Sequence, residues 1–214
     1  MKFRGELRDI KLINFSVKLE EILPLVPKSF RVLQENGRAI ISMVDVKLKN
    51  MYPSIFPFFK FGYRYVAFRL LLDDTEISGK NKPKGVYFLK NFSNRPLLNF
   101  FGNLILNQKS TYANIMEYFD AVSLKQGSKH IEYALDPYSK CNYEPFLHQK
   151  IHRIDRVYET NENGILVSKI FKENYWPIEP IKCYYFATNF FKTARFLGAF
   201  KVKDNLDYYW NSPV

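Results

Sequence analysis

The stretch FRVLQENGRAIISMVDVKL, residues 30–48, decides the fold class. Asn36-Gly37 lies between two apolar runs, and this pair favours a tight hairpin because both turn residues take positive φ. After the turn, Val44, Val46 and Leu48 alternate with Asp45, Lys47 and Lys49, as in a strand with one buried and one solvated face. The sequence therefore predicts that residues 31–34 pair antiparallel with residues 39–48.

Segments further from this hairpin have the same strand character. Residues 61–72 have the length and aromatic content of a long strand, and residues 85–91 form another after a polar loop. Further strands are predicted at 111–119 and 129–135, and a second hairpin pairs 151–159 with 165–172. Because strands come in hairpin pairs, the pattern predicts one α+β domain spanning 1–214, mostly antiparallel, with a closed or strongly curved sheet.

Helices are few in this prediction. Ser16 precedes a short amphipathic segment at 17–23 that ends at Pro24. Asn94 is placed to cap a helix with Pro96 in its first turn, and apolar residues then follow at helical spacing through 105. A third, short helix is predicted at 144–150.

The charge of the chain raises the question of a nucleic-acid partner. The 214 residues carry a formal net charge of +11, but the basic residues are spread along the whole sequence. The one dense group, Lys80, Lys82 and Lys84, falls in a polar loop. A scattered distribution favours solubility over specific nucleic-acid recognition, so we expect no specific nucleic-acid partner.

Cysteine use and hydropathy bear on the cellular compartment. Cys141 and Cys183 are far apart and form no Cys-x-x-Cys pair, which favours a reducing compartment. The charged N-terminus shows no secretory signal, and the longest apolar stretch, 58–72, is interrupted by Lys60, Arg64 and Arg69. We expect a cytoplasmic protein without a membrane partner.

Motifs for common cofactors are missing from the sequence. It contains no phosphate-binding loop, no dinucleotide fingerprint and no nucleophile elbow, so no cofactor is expected. Glu144, His148 and His152 follow each other at intervals of four, a spacing that places metal-binding groups along one helical face. Polar residues at a helix end give the same spacing, and no metal site is predicted.

Arginines within an apolar strand are the most informative polar residues. Arg64 and Arg69 lie in 61–72, and an arginine that points inward needs an acceptor. A carboxylate such as Glu117 or Glu132 would serve, and so would an anionic ligand. An exposed arginine or a structural ion pair remains the alternative interpretation.

The order of several segments resembles a family of uncharacterised bacterial proteins in the acetoacetate-decarboxylase-like superfamily. The resemblance runs from about 12 to 181 and rests on segment order rather than on one motif. It is carried by Leu12-Ile13-Asn14-Phe15-Ser16-Val17, Leu23-Pro24-Leu25-Val26-Pro27, the 36–44 hairpin, Tyr63-Arg64-Tyr65-Val66, Gly85-Val86-Tyr87-Phe88-Leu89, Pro145-Phe146-Leu147 and Tyr175-Trp176-Pro177-Ile178.

This resemblance implies a cone-like antiparallel barrel with flanking helices and an interior cavity. In the decarboxylases, a cavity lysine beside a second lysine forms a Schiff base with a β-keto acid, and a nearby cation lowers its pKa. The corresponding segment here is Gln108-Lys109-Ser110, with a single lysine. Lys60 and Gly62 also stand where the uncharacterised family has a carboxylate and an asparagine.

Three functions follow as hypotheses from the sequence and the resemblance. In the first, the barrel binds a small molecule, in particular a carboxylate, with Arg64 facing the anion and Tyr63, Tyr65 and Tyr112 lining the cavity. In the second, the protein is a carbon–carbon lyase acting on a small keto acid. Lys109 is then the nucleophile and Glu117 a supporting carboxylate. In the third, a basic surface binds nucleic acid or protein. The oligomeric state stays open.

Overall fold

A computed structural model describes residues 2–79, 84–96, 110–136, 138–139, 145–161, 164–169, 177–203 and 205–211. The hairpin predicted around Asn36-Gly37 is present, with φ values of 49° and 71° at these two residues. Gln34 pairs with Ala39 and Glu35 with Arg38. The arm before the turn contributes only a two-residue strand, whereas the arm after it is one of the longest strands of the sheet.

Strands make up most of the described chain. In order they are β1 Lys2–Lys18, β2 Gln34–Glu35, β3 Arg38–Pro53, β4 Phe61–Leu71, β5 Gly85–Ser93, β6 Thr111–Tyr112, β7 Asn114–Tyr118, β8 Ala121–Gln126, β9 Lys129–Asp136, β10 Arg156–Asn161, β11 Gly164–Lys169, β12 Ile178–Thr188, β13 Arg195–Val202 and β14 Leu206–Asn211.

Hydrogen bonding joins these strands into one large, mixed, mostly antiparallel sheet. Its path runs β11-β10-β5-β4-β3-β1-β13-β12-β9-β8-β7, and β14, β2 and β6 pair beside it with β1, β3 and β5. Within the described residues the path does not return on itself, so of the two predicted alternatives, a closed and a strongly curved sheet, the closed one is not formed. The sheet is nevertheless strongly curved. The curvature brings Tyr133 of β9 within hydrogen-bond distance of Asp45 of β3, four strands away along the path.

Each face of the central strands buries its own apolar cluster. The inner cluster, on the concave side, contains residues such as Ile13, Met43, Phe68 and Tyr133. The outer cluster contains Leu12, Val44 and Ala67 from the same strands, together with residues of the helix at 145–152. A strand buried on both faces contradicts the prediction of a solvated face on β3, where Asp45 is 1% exposed.

The described helices are short, and their limits differ from the predicted ones. α1 spans Leu19–Ile22 and continues as a 3₁₀ turn at Leu23–Leu25, because β1 extends through Ser16 to Lys18. α2 spans Thr75–Ser78, and α3 spans Pro145–His152, where the third helix was predicted. The helix predicted after Asn94 lies almost wholly outside the described residues. In the described part of the chain, no helix has the length and apolarity needed to cross a membrane.

Candidate functional site

Alternation along β1, β3 and β4 places four charged side chains on the inner face of the sheet. Lys11 of β1 is opposite Asp45 of β3, and Lys47 of β3 is opposite Arg64 of β4. Each lies an even number of positions from inner-cluster residues of its own strand, such as Ile13, Met43 and Val66. The register therefore brings three cations and one carboxylate together at one end of the inner cluster.

Arg64 is held rigidly in this group. It is 7% exposed, and its Nε and Nη2 donate to the two carboxylate oxygens of Asp45 at 2.8 and 2.6 Å. Burial acts to lower the pKa of Arg64, but the hydrogen bonds and charge of Asp45 outweigh burial and raise it. Tyr133 donates its hydroxyl to the same carboxylate. Burial, followed by the charge of Asp45, raises the pKa of Tyr133, so this hydroxyl stays protonated.

Glu117 of β7 is the point on which the three cations converge. Its carboxylate accepts from Lys47 Nζ at 2.6 Å, from Lys11 Nζ at 3.1 Å and from Arg64 Nη1 at 3.1 Å. Burial acts to raise its pKa, but the hydrogen bond from Lys47 and the attraction of Arg64 and Lys11 lower the pKa to about 2. Glu117 is therefore an anion at neutral pH and has no proton to donate. We call Lys11, Lys47, Arg64 and Glu117 the inner charge cluster.

Of the two carboxylates considered as acceptors for Arg64, Glu117 contacts Nη1, whereas Glu132 accepts from Ser123. The buried pair of Arg64 with Asp45 is the structural ion pair of the alternative interpretation. Sequence reasoning missed Asp45, Tyr133, Lys11 and Lys47. A usable signal for Asp45 and Lys47 was their spacing from Ile41 and Met43. Residues an even number of positions apart share a face of the strand, so both charges had to lie on the side of these apolar residues.

The predicted tyrosines are not brought together with Arg64. Tyr63 and Tyr65 neighbour Arg64 in sequence, so they lie on the opposite face of β4 and pack against the outer cluster. Burial raises the pKa of Tyr63 to about 12. Tyr112 is exposed and lies in β6 beside β5. Lys109 lies outside the described residues, so its predicted role as a nucleophile is not tested by the structure.

The structure describes only two of the three residues that the sequence spaces as possible metal ligands. His148 and His152 stack on each other in α3 with ring centroids 5.7 Å apart, while Glu144 is outside the described residues. Among the residues that are described, no cluster of three metal-binding side chains occurs.

Comparison with known proteins identifies the family. Residues 4–176 match the model of DUF2071, described as an uncharacterized conserved protein, and this range contains the whole inner charge cluster. The chain therefore belongs to the DUF2071 family. A comparison with curated proteins found no significant sequence match.

Solved structures with a similar fold belong to the acetoacetate-decarboxylase-like group. An acetoacetate decarboxylase from Legionella pneumophila superposes with a TM-score of 0.62 at 10% identity, covering 100% of this chain and 86% of that one. The enduracididine biosynthesis enzyme MppR with HEPES bound gives a TM-score of 0.58 at 9% identity, covering 98% and 84%. Its complex with pyruvate gives 0.53 at 7% identity, covering 98% and 87%. At these identities the similarity establishes the fold and not the activity.

Proposed function

We propose that this protein binds a small carboxylate at the inner charge cluster. The observation that carries the proposal is the convergence of Lys11, Lys47 and Arg64 on one carboxylate, that of Glu117. Cations that already surround one carboxylate present the donors that a ligand carboxylate requires. The complex of MppR with pyruvate supports this choice of ligand, because a protein of the same fold holds a small keto acid.

The residues of the cluster have different roles in this proposal. Asp45 and Tyr133 fix the guanidinium of Arg64, so that Nη1 points away from the buried pair toward Glu117. Lys47, with a side chain 34% exposed, and Glu117, at 30%, form the accessible side where a ligand enters. The carboxylate of Glu117 then competes with the ligand for all three cations. That of Asp9, 3.1 Å from Lys11 Nζ and 2.9 Å from Lys47 Nζ, competes for the two lysines.

A titration with pyruvate tests the assignment. Glu117→Gln removes the competing charge that contacts all three cations and should tighten pyruvate binding by about tenfold, the equivalent of roughly 1.4 kcal/mol, while Asp9 keeps its contacts with the lysines. Lys47→Met removes one cation and should weaken it. Binding that is equal in wild type and both variants would show that the carboxylate lies elsewhere.

Arg64→Ala would be a poor test in comparison. It would leave the buried Asp45 without its charged partner, so loss of binding could not be separated from loss of folding.

A lyase is the second candidate, favoured by the similarity to an acetoacetate decarboxylase. Here the amine of Lys109 attacks the keto carbon, water leaves, and the resulting imine accepts electrons as carbon dioxide departs. Glu117 contributes only its charge, because it stays ionised at neutral pH.

Borohydride reduction in the presence of acetoacetate distinguishes the two candidates. Reduction of an imine leaves a stable secondary amine, which mass spectrometry of the peptide containing Lys109 detects. We expect no adduct, since Gln108 and Ser110 supply no cation to lower the pKa of this lysine. A stoichiometric adduct at Lys109 would replace the binding proposal with the lyase.

A further inference from the structure

Exposed apolar side chains gather in the turn between β3 and β4. All residues from 54 to 60 are exposed, and the large apolar ones among them are Ile55, Phe56, Phe58 and Phe59. Phe58 is 85% exposed. Single exposed apolar residues are ordinary on protein surfaces, but several large ones in one turn mark an interaction site.

The backbone of this turn is fixed by its own hydrogen bonds. The N–H of Phe56 donates to the carbonyl of Pro53 at 2.9 Å, and that of Phe59 donates to the carbonyl of Phe56 at 3.2 Å. Pro57 locks a further φ angle between them. At the base of the turn, the rings of Phe59 and Phe61 have centroids 6.5 Å apart. The exposed side chains therefore stand at an ordered tip rather than on a loose loop.

A second exposed aromatic turn joins β7 to β8. Phe119 is fully exposed, and Tyr118 beside it is exposed as well. Phe119 also has a φ of 49°, in the left-handed region where Asn, Asp or Gly is the usual residue. Neither the backbone geometry nor packing within the described chain favours a phenylalanine here, so its ring is available to a partner.

The two turns lie at the same end of the sheet. Six pairings lead from β3 to β7, through β1, β13, β12, β9 and β8, and all six are antiparallel. An even number of antiparallel steps leaves β3 and β7 running in the same direction, and each turn follows the end of its strand. Glu117, just before the second turn, also contacts Lys47 of β3 and Arg64 of β4. We call residues 54–60 and 118–119 the apolar turns.

Positive charge accompanies the apolar turns. Lys49 lies near the end of β3 and Lys60 ends the first turn, and both side chains are exposed. Asp120, next to Phe119, is an exposed acid, but the whole chain has a formal net charge of +11. Anionic phospholipids attract lysines held close to the membrane surface, and aromatic rings partition into the region between headgroups and acyl chains. A bilayer receives such protruding tips without the matching pocket that a protein partner would need.

We propose that the apolar turns insert into the surface of a bilayer containing anionic phospholipids, so that the protein binds membranes peripherally through this end of the sheet. The rings of Phe56, Phe58 and Phe119 enter the interfacial region, and Lys49 and Lys60 pair with lipid phosphates. Hydropathy detects segments long enough to span a bilayer and does not detect such turns, which is why the sequence predicted no membrane partner. None of these residues belongs to the inner charge cluster, so the proposal does not depend on carboxylate binding.

Vesicle co-sedimentation measures this binding. Vesicles of phosphatidylcholine with about a third phosphatidylserine should bind the wild-type protein, and vesicles of phosphatidylcholine alone should bind it about tenfold more weakly. Phe58→Ser should weaken binding to the anionic vesicles by about tenfold. Ile55→Ser should weaken it too. Leu25→Ser is the matched control, because Leu25 is an exposed apolar residue beyond the end of β1, at the opposite end of the sheet, and this change should have no effect.

Phe119→Asn keeps the test independent of folding. Asparagine adopts a positive φ more readily than phenylalanine, so this variant should unfold in urea at no lower a midpoint than the wild type and still bind vesicles more weakly. Phe58→Trp should show a blue shift of its fluorescence, relative to the wild type, when anionic vesicles are added. Wild-type protein that stays in the supernatant with both kinds of vesicle, or turn variants that bind like the wild type, would overturn the proposal. So would self-association that Phe58→Ser abolishes in a protein that binds no vesicles, since the turns would then contact a second copy of the chain.

Discussion

Replacing Asp45 by asparagine removes one negative charge from the inner face of the sheet and keeps the size of the side chain. The carboxylate is 1% exposed and accepts hydrogen bonds from Arg64, through two nitrogens, and from Tyr133. The asparagine side chain would retain one acceptor oxygen, and its amide group would face the guanidinium donors. Arg64, itself 7% exposed, would then keep Glu117 alone as a charged partner among the described residues.

Removing one partner of a buried ion pair costs about 3–5 kcal/mol, because the remaining charge stays desolvated. Glu117 still contacts Nη1 at 3.1 Å, so we expect a value near the lower end, about 3 kcal/mol. Asp45→Leu combined with Arg64→Met removes both charges and leaves no buried ion uncompensated. That double variant leaves the buried Tyr133 hydroxyl without its acceptor, so it should lose about 1–3 kcal/mol and be no less stable than Asp45→Asn.

Urea unfolding measures both variants, with the free energy taken from the midpoint and the slope m. Glu117→Gln is the matched control. It removes the other carboxylate that contacts Arg64, and solvent screens the charge of this partly exposed group. We expect a cost of about 1 kcal/mol or less there. A loss below about 1 kcal/mol in Asp45→Asn, or a double variant less stable than Asp45→Asn, would refute the buried-pair argument.

Further predictions concern pH, the hairpin and nucleic acid. The pKa of Glu117 is about 2 in the folded chain, against an ordinary value of 4.5. Its ion pairs therefore stabilise the fold above about pH 4.5, and this contribution disappears as the pH falls toward 2. Acid unfolding of Glu117→Gln should lack this component. Gly37 has a φ of 71°, so Gly37→Ala should cost about 1 kcal/mol in urea unfolding, and an unchanged midpoint would contradict the turn assignment. DNA or RNA binding should be weak and vanish at moderate salt in a filter-binding assay, and tight sequence-selective binding at physiological salt would favour the interaction-module hypothesis.

The central strands were predictable because their signals are local. Asn36-Gly37 specifies a turn from two residues, and the aromatic run after Phe61 has no helical periodicity. β1 was missed as a strand, and the reason is structural. Its alternation shifts where the register with β3 breaks between Arg8 and Lys11, near Asp9 with a φ of 51°. A bulge of this kind moves the apolar residues to the other parity and hides the strand.

The candidate site was predictable only in outline. The need of Arg64 for a carboxylate follows from the apolar strand around it, and Glu117 was among the expected partners. Asp45 was assigned to solvent because the alternation was interpreted with one buried face, whereas β3 is buried on both. Which faces are covered depends on distant strands such as β9, and that information is absent from the local pattern.

A crystal structure of Glu117→Gln grown with pyruvate is the decisive test of carboxylate binding at the inner charge cluster. We expect pyruvate with its carboxylate within hydrogen-bond distance of Arg64 Nη1 and the Nζ atoms of Lys11 and Lys47, while Asp45 and Tyr133 keep their contacts with Arg64. An empty cluster in crystals saturated with pyruvate, or pyruvate bound at another place or covalently to Lys109, would contradict it.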